Sequence, residues 1–252
     1  LRFIEKAISR GYHDIVVSAP TGVGKTGIGV SVCAWAASEL ARQVPGDPGG
    51  FYLTVQKALQ AQIDSDFHNG KFSGVSGATI KASVEYECLS ERFKTCGTGR
   101  RAKKKCECSS CPYVAAKEAF LAAHVGVTNY PYLFSEHKYV RKLPARKVIV
   151  CDEAHSLERQ LIRFNDTTID DESVTRWLGS GIKLPKLKNL DQFVQWIDET
   201  YLPGLKFKQE TLTAMSDGAI SEKDQKDLID VDQHGCKVRR AIDLIKSSPD
   251  DW

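Results

Sequence analysis

"DIVVSAPTGVGKTG", residues 14–27, joins a β-branched apolar run to a glycine-rich turn and then to a helical pattern, and its reading decides the fold. "DIVVSA" (14–19) has the composition of a buried strand, and "GKT" (24–26) stands where a helix begins. A strand, a glycine-rich loop and a helix in that order cradle phosphates. Backbone N–H groups point into the loop, and the helix N-terminus adds partial positive charge. Gly22, Val23, Gly24, Lys25 and Thr26 are therefore the candidate nucleotide-binding residues. Lys25 would bridge the β- and γ-phosphates of ATP, and the Thr26 hydroxyl would hold Mg²⁺. Ala19 stands where the common pattern has its first glycine, which leaves the functional "GKT" intact.

Working outward, four more segments read as short buried strands: "GFYLTV" (50–55), "GATIKA" (77–82), "HVGVTN" (124–129) and "KVIVCD" (147–152). Helical patterns fall at about 27–42, 56–68 and 112–122. The alternation predicts an α/β fold, a parallel sheet with right-handed crossovers. The last strand runs into "DEAH" (152–155). A carboxylate at a parallel strand tip faces the crevice where such sheets bind ligands. Asp152 would there complete the Mg²⁺ shell, Glu153 would orient or deprotonate an attacking water, and His155 completes the candidate catalytic set with Lys25. Beyond that point the texture changes to charged helical patterning, and a mostly helical segment is expected over 159–252.

The 252 residues are 42% hydrophobic and 27% charged, which suits globular packing rather than disorder. No apolar run approaches the roughly 18–20 residues of a spanning helix and no leader is visible, so no membrane role is expected and a cytoplasmic or nuclear location is. A net charge of +3 does not itself argue for nucleic acid, but Lys94, Arg100, Arg101, Lys103, Lys104 and Lys105 concentrate positive charge. The chain starts at Leu1 and its single methionine is Met215, so it is expected to be an excerpt of a longer protein.

Eight cysteines fall into two groups. Cys33, Cys151 and Cys236 lie in apolar periodic segments, as small buried hydrophobes do. Cys88, Cys96, Cys106, Cys108 and Cys111 crowd between two strands and read as metal ligands in a reducing compartment. Cys108 and Cys111 form a CxxC, Cys88 would be the distant ligand, and spacing leaves Cys96 and Cys106 as alternatives for the fourth. Spacing also leaves zinc and iron–sulfur open.

With these motifs in order, the sequence resembles the XPD/DinG-type superfamily 2 iron–sulfur DNA helicases. The resemblance runs over most of residues 1–160, through "APTGVGKT", "YLTVQKALQAQ" (52–62), "ATIKASVEYEC" ending at Cys88, "CPYVAAKEAFLAAHVGVTNYPYLFSE" from Cys111, and "VIVCDEAHSLE". It implies a RecA-like P-loop domain in two parts, 1–80 and 123–158, a 4Fe-4S insertion at 81–122, and part of a helical arch at 159–252. It assigns the cluster to Cys88 and Cys111 with Cys96 and Cys108, Cys106 being the substitute. It implies ATP-dependent 5′–3′ unwinding with single-stranded DNA and DNA junctions as partners, completed by a second RecA-like domain that this chain lacks. Thr54, Gln60 and Gln62 would touch the strand, with the basic run Arg100, Arg101, Lys103, Lys104 and Lys105 flanking it. Tyr130 and Tyr132 would either stack bases or pack in the core. A zinc-stapled DEAH-type RNA helicase or remodelling ATPase is the alternative.

Overall fold

A computed structural model describes residues 1–20, 22–38, 47–90, 92–103, 110–141, 143–216 and 220–248. It divides into two compact units, Leu1–Lys81 with Val114–Gln160, and Ala82–Tyr113 with Leu161–Trp252. The cysteine-bearing insertion thus shares its unit with the C-terminal helices.

The first unit contains α1 (Arg2–Ser9), α2 (Lys25–Ser38), β1 (Asp47–Thr54), α3 (Lys57–His68) and β2 (Gly77–Thr79). The second begins with a 3₁₀ turn (Ser83–Glu85) and α4 (Cys96–Lys103), and α5 (Pro112–Ala122) leads back. Then come β3 (Val125–Asn129), α6 (Tyr130–Ser135) with a π turn at Glu136–Val140, and β4 (Arg146–Cys151). The four strands are all parallel in the order β2-β3-β1-β4.

Alternation along the strands sends Tyr52, Val125 and Val127 to one face, where they pack with Val30 and Cys33 of α2 and Ile63 of α3. Phe51 points the other way and stacks on Phe120 of α5 at 5.3 Å between ring centroids. Gly29 lets α2 approach β1 closely, since a Cβ there would fall 2.5 Å from the Tyr52 ring.

The segment 14–19 is a correction to the sequence reading. It forms no strand, and Val16 is 90% exposed. A β-branched run becomes a strand only when its backbone joins a ladder, and among the described residues it pairs with neither edge strand of the sheet. "GATIKA" likewise pairs only over Gly77–Thr79, because the Ile80 carbonyl is taken by the Gln60 and Thr128 side chains at 2.7 and 3.1 Å.

The second unit is held by α7 (Leu157–Asn165, which enters it from the first), α8 (Asp171–Leu178), α9 (Leu190–Trp196), α10 (Leu202–Met215) and α11 (Glu222–Ser247). A π turn at Ile197–Tyr201 joins α9 to α10. Pro203, without an N–H, makes a regular turn there unattainable. Val174, Trp177, Ile197, Tyr201, Leu205, Leu212, Leu228 and Val231 form the core, and Phe93 and Ala102 of the insertion join it. Polar ties repeat the connection. The Lys94 N–H donates to Gln225 at 2.9 Å, and Arg101 pairs with Asp232 at 2.7 Å.

Phe120 is fully buried between the sheet and Tyr132. Phe120→Ala is expected to lower the unfolding free energy by about 3–5 kcal/mol, read as a loss of midpoint in urea unfolding followed by circular dichroism.

Candidate functional site

The ends of three strands set the site. Leu53 stands opposite Cys151 and Thr54 opposite Asn129, so β1, β3 and β4 finish at one level. The Asp152 N–H continues the ladder to the Leu53 carbonyl at 2.9 Å. The chain then turns through Glu153 at φ 51°, a left-handed conformation costly for a residue with a side chain.

The glycine-rich loop reaches the same place. Gly22 and Gly24 have φ of 85° and 81° with open space where a Cβ would lie, so these glycines serve conformation rather than clearance. Thr21 lies outside the described residues. α2 starts at Lys25, and the Lys25 ammonium stands 3.9 Å from Glu153 Oε1 and donates to the Ala19 carbonyl at 3.4 Å. Glu153 Oε2 lies 3.3 Å from His155 Nδ1. Lys25, Asp152, Glu153 and His155 are thereby brought together. Val23, at 51% exposure, lines the open side of the loop.

Burial raises the Asp152 carboxyl above its ordinary range, and repulsion from Glu153 adds to this, while Lys25 opposes both. An acid held in its charged form at such a cost, beside a second acid and a hydroxyl, is a donor set that a hard divalent cation relieves. Thr26 and Asp152 fit Mg²⁺ on these grounds. Two phenols lie below them. Tyr52 is 1% exposed, its hydroxyl is hydrogen-bonded to Thr26, and burial pushes it up to about 12. Tyr130 is 0% exposed and donates to the Asp152 carbonyl at 2.7 Å. Sequence reading gave Tyr52 no part, because a tyrosine inside an apolar strand carries no mark of what its hydroxyl reaches.

The residues expected to meet nucleic acid divide sharply. Thr54 is 1% exposed and accepts the Gln56 N–H at 3.3 Å, starting α3. Gln60 is 1% exposed and pins the Ile80 carbonyl. With Tyr130, these face inward rather than toward a strand. Gln62 and Arg100 are exposed, the latter 5.2 Å above the Tyr113 ring. Arg101 is partly buried on Asp232. Lys103 ends α4, and nothing is described of its side chain or of Lys104 and Lys105.

In the other unit, a single antiparallel bridge, Glu87 with Thr95, closes a small turn that brings Cys88 toward Cys96. The Cys88 N–H donates to the Lys94 carbonyl and the Cys96 N–H to the Tyr86 carbonyl. Cys96 Sγ and Cys111 Sγ stand 3.7 Å apart, both buried. Burial pushes the Cys96 thiol up to about 12, and the neighbouring Cys111 and Cys88 raise it further. Close, buried thiols are soft donors that suit a thiophilic metal once it has displaced their protons. Among the described residues no group of three or more side chains closes on one point as a metal site. Cys106 and Cys108 lie outside them.

A family model, DEAD_2, matches residues 78–174. DEAD_2 is a helicase-family domain found in XPD/DinG-type helicases, so the match suggests a helicase-type ATPase. It spans the cysteine turn and "DEAH", with the glycine-rich loop upstream of it. Comparisons with curated proteins and with solved structures return no match. Among the described residues no helix is long and apolar enough to cross a membrane.

The raised Asp152 carboxyl has a sign that can be checked. Its ionised form is disfavoured in the fold, so it subtracts stability at neutral pH and subtracts less as pH falls through its raised range toward the ordinary carboxylate value. Asp152→Asn is therefore expected to raise the thermal midpoint of the nucleotide-free chain at pH 7. The gain should shrink on acidification, and differential scanning fluorimetry over a pH series reads both.

Proposed function

We propose that this chain is the ATP-binding portion of an ATP-dependent DNA helicase of the XPD/DinG type. The observation that carries the reading is the convergence of Lys25, Thr26, Asp152 and Glu153 at the strand ends, in a chain whose middle matches DEAD_2. The backbone of Gly22 to Thr26 would bind the ATP phosphates, and Lys25 would leave Glu153 to bridge them. That exchange frees the Glu153 carboxylate to orient water, with His155 beside it. Thr26 and Asp152 would hold Mg²⁺, which neutralises charge developing on the transferred phosphoryl group.

Cys88, Cys108 and Cys111, with Cys96 or in its place Cys106, would hold a 4Fe-4S cluster that braces the insertion. Gln62, Arg100 and the lysines 103–105 are the candidate contacts to single-stranded DNA. Binding through such residues would weaken as salt rises. Translocation in the 5′–3′ direction and strand separation belong to this reading and require a second RecA-like domain.

Two measurements test it. Lys25→Ala is expected to abolish binding of a fluorescent ATP analogue, and wild-type affinity in that variant would remove the phosphate-site assignment. Protein purified without oxygen is expected to be brown, absorbing near ~400 nm with iron and sulfide in cluster proportions. Colourless protein with zinc would favour the metal-stapled RNA helicase or remodelling ATPase.

A further inference from the structure

Tyr130 sits at the junction of β3 and α6, and its position is fixed from the backbone outward. Asn129 ends β3 and caps α6, its Oδ1 accepting the Tyr132 N–H at 3.0 Å. The chain turns there and sends the Tyr130 ring into the interior, where Phe134 lies against it at 6.1 Å between centroids. β3 and β4 flank β1, so they stand about 9.6 Å apart, twice one strand spacing. The Tyr130 side chain crosses that gap to the end of β4, donating to the Asp152 carbonyl at 2.7 Å and meeting the Cys151 thiol.

A phenol is suited to this task. With its ring packed, the hydroxyl has almost no freedom left, so it holds what it binds at a fixed height. The peptide it holds carries the Asp152 carboxylate on one side and leads into the left-handed Glu153 on the other. Backbone in that region persists only where its surroundings over-determine it. The Asp152 N–H bond to Leu53 holds the preceding peptide and the Tyr130 hydroxyl holds this one, so Asp152 is restrained on both sides of its Cα.

We propose that Tyr130 is a positioning residue for the metal–phosphate site, anchoring the Asp152 peptide so that the Asp152 carboxylate meets the cation at a set geometry. The inference rests on the reading of Lys25, Thr26 and Asp152 as an ATP–Mg²⁺ site and adds a residue to it. Tyr130 touches neither nucleotide nor metal. The bond to the Asp152 carbonyl is already made without a cation, so positioning is separated from simple packing by an effect on Mg²⁺ binding beyond any effect on stability.

Tyr130→Phe keeps the ring and deletes the hydroxyl. Mg²⁺ is titrated against a fluorescent ATP analogue in wild type and variant, with thermal midpoints recorded alongside. The half-saturating Mg²⁺ concentration is expected to rise about 10-fold, the size of one hydrogen bond's effect, while analogue affinity without Mg²⁺ stays within about 2-fold. A folded Tyr130→Phe protein with the wild-type Mg²⁺ titration overturns the proposal and leaves the ATP-site reading standing. A wild-type chain indifferent to Mg²⁺ brings down both. If Tyr130→Phe does not fold, fluorotyrosine installed at position 130 carries the test in a chain that retains the hydroxyl. Its fluorine resonance is expected to move when Mg²⁺ joins the nucleotide complex, and a resonance that stays in place overturns the proposal.

Discussion

Strand β1 is hydrogen-bonded on both sides, and its register is the constraint on which the chemistry of the α/β unit depends. Parallel pairing leaves no freedom to slide, because a shift of one residue would exchange Phe51 and Tyr52 between faces. With that register set, Thr54, Asn129 and Cys151 end their strands together, and each following residue is delivered to one rim. Asp152 arrives there through a backbone bond to Leu53, and Tyr130 through a capped turn. Phe51 and Tyr52 serve opposite purposes from adjacent positions. One stacks on Phe120 beneath α5, and the other fills the notch at Gly29 and reaches Thr26.

The rim carries more negative than positive charge at close range. Asp152 and Glu153 are neighbours in sequence, and a single ammonium, Lys25, stands against Glu153 at 3.9 Å. Both partners of that pair are over one-third exposed, so water screens it and its net contribution to stability is small. On the proposed reading, a weak pair is what a phosphate site needs. Anionic oxygens can take Lys25 at little cost, and a cation can take Asp152 with a gain, because burial and Glu153 already disfavour its bare charge.

The glycine-rich turn, the acid pair and three of the strands were legible because each is written in local terms: glycines at turns, carboxylates after a β-branched run, β-branched residues in short runs. α5 is legible to the residue, Pro112–Ala122, since proline suits a first helical turn and an alanine-rich run of good helix formers follows it. What escaped is non-local. "DIVVSA" has a strand's composition, but strand status needs a partner edge that composition does not encode. Thr54 and Gln60 look like surface polar residues and are buried because two carbonyl and amide groups inside the unit need them. The π turn at Ile197–Tyr201 could have been anticipated from Pro203, whereas the part played by Tyr52 in the site could not.

The same distinction explains the insertion. Its five cysteines are conspicuous, yet nothing in their spacing says that Phe93, Arg101 and Ala102 around them belong to a helical core built from residues after 160. That core gives the thiols a fixed frame, since Cys88 packs against it and the Glu87–Thr95 bridge sets Cys96. A thiophilic metal binds such thiols only after displacing their protons, and any net binding free energy would add to the folding free energy of whatever holds them in place. Because Phe93 and Ala102 lie in one core with Leu212 and Leu228, a metal bound at the cysteines would stabilise α10 and α11 as well as its own loop.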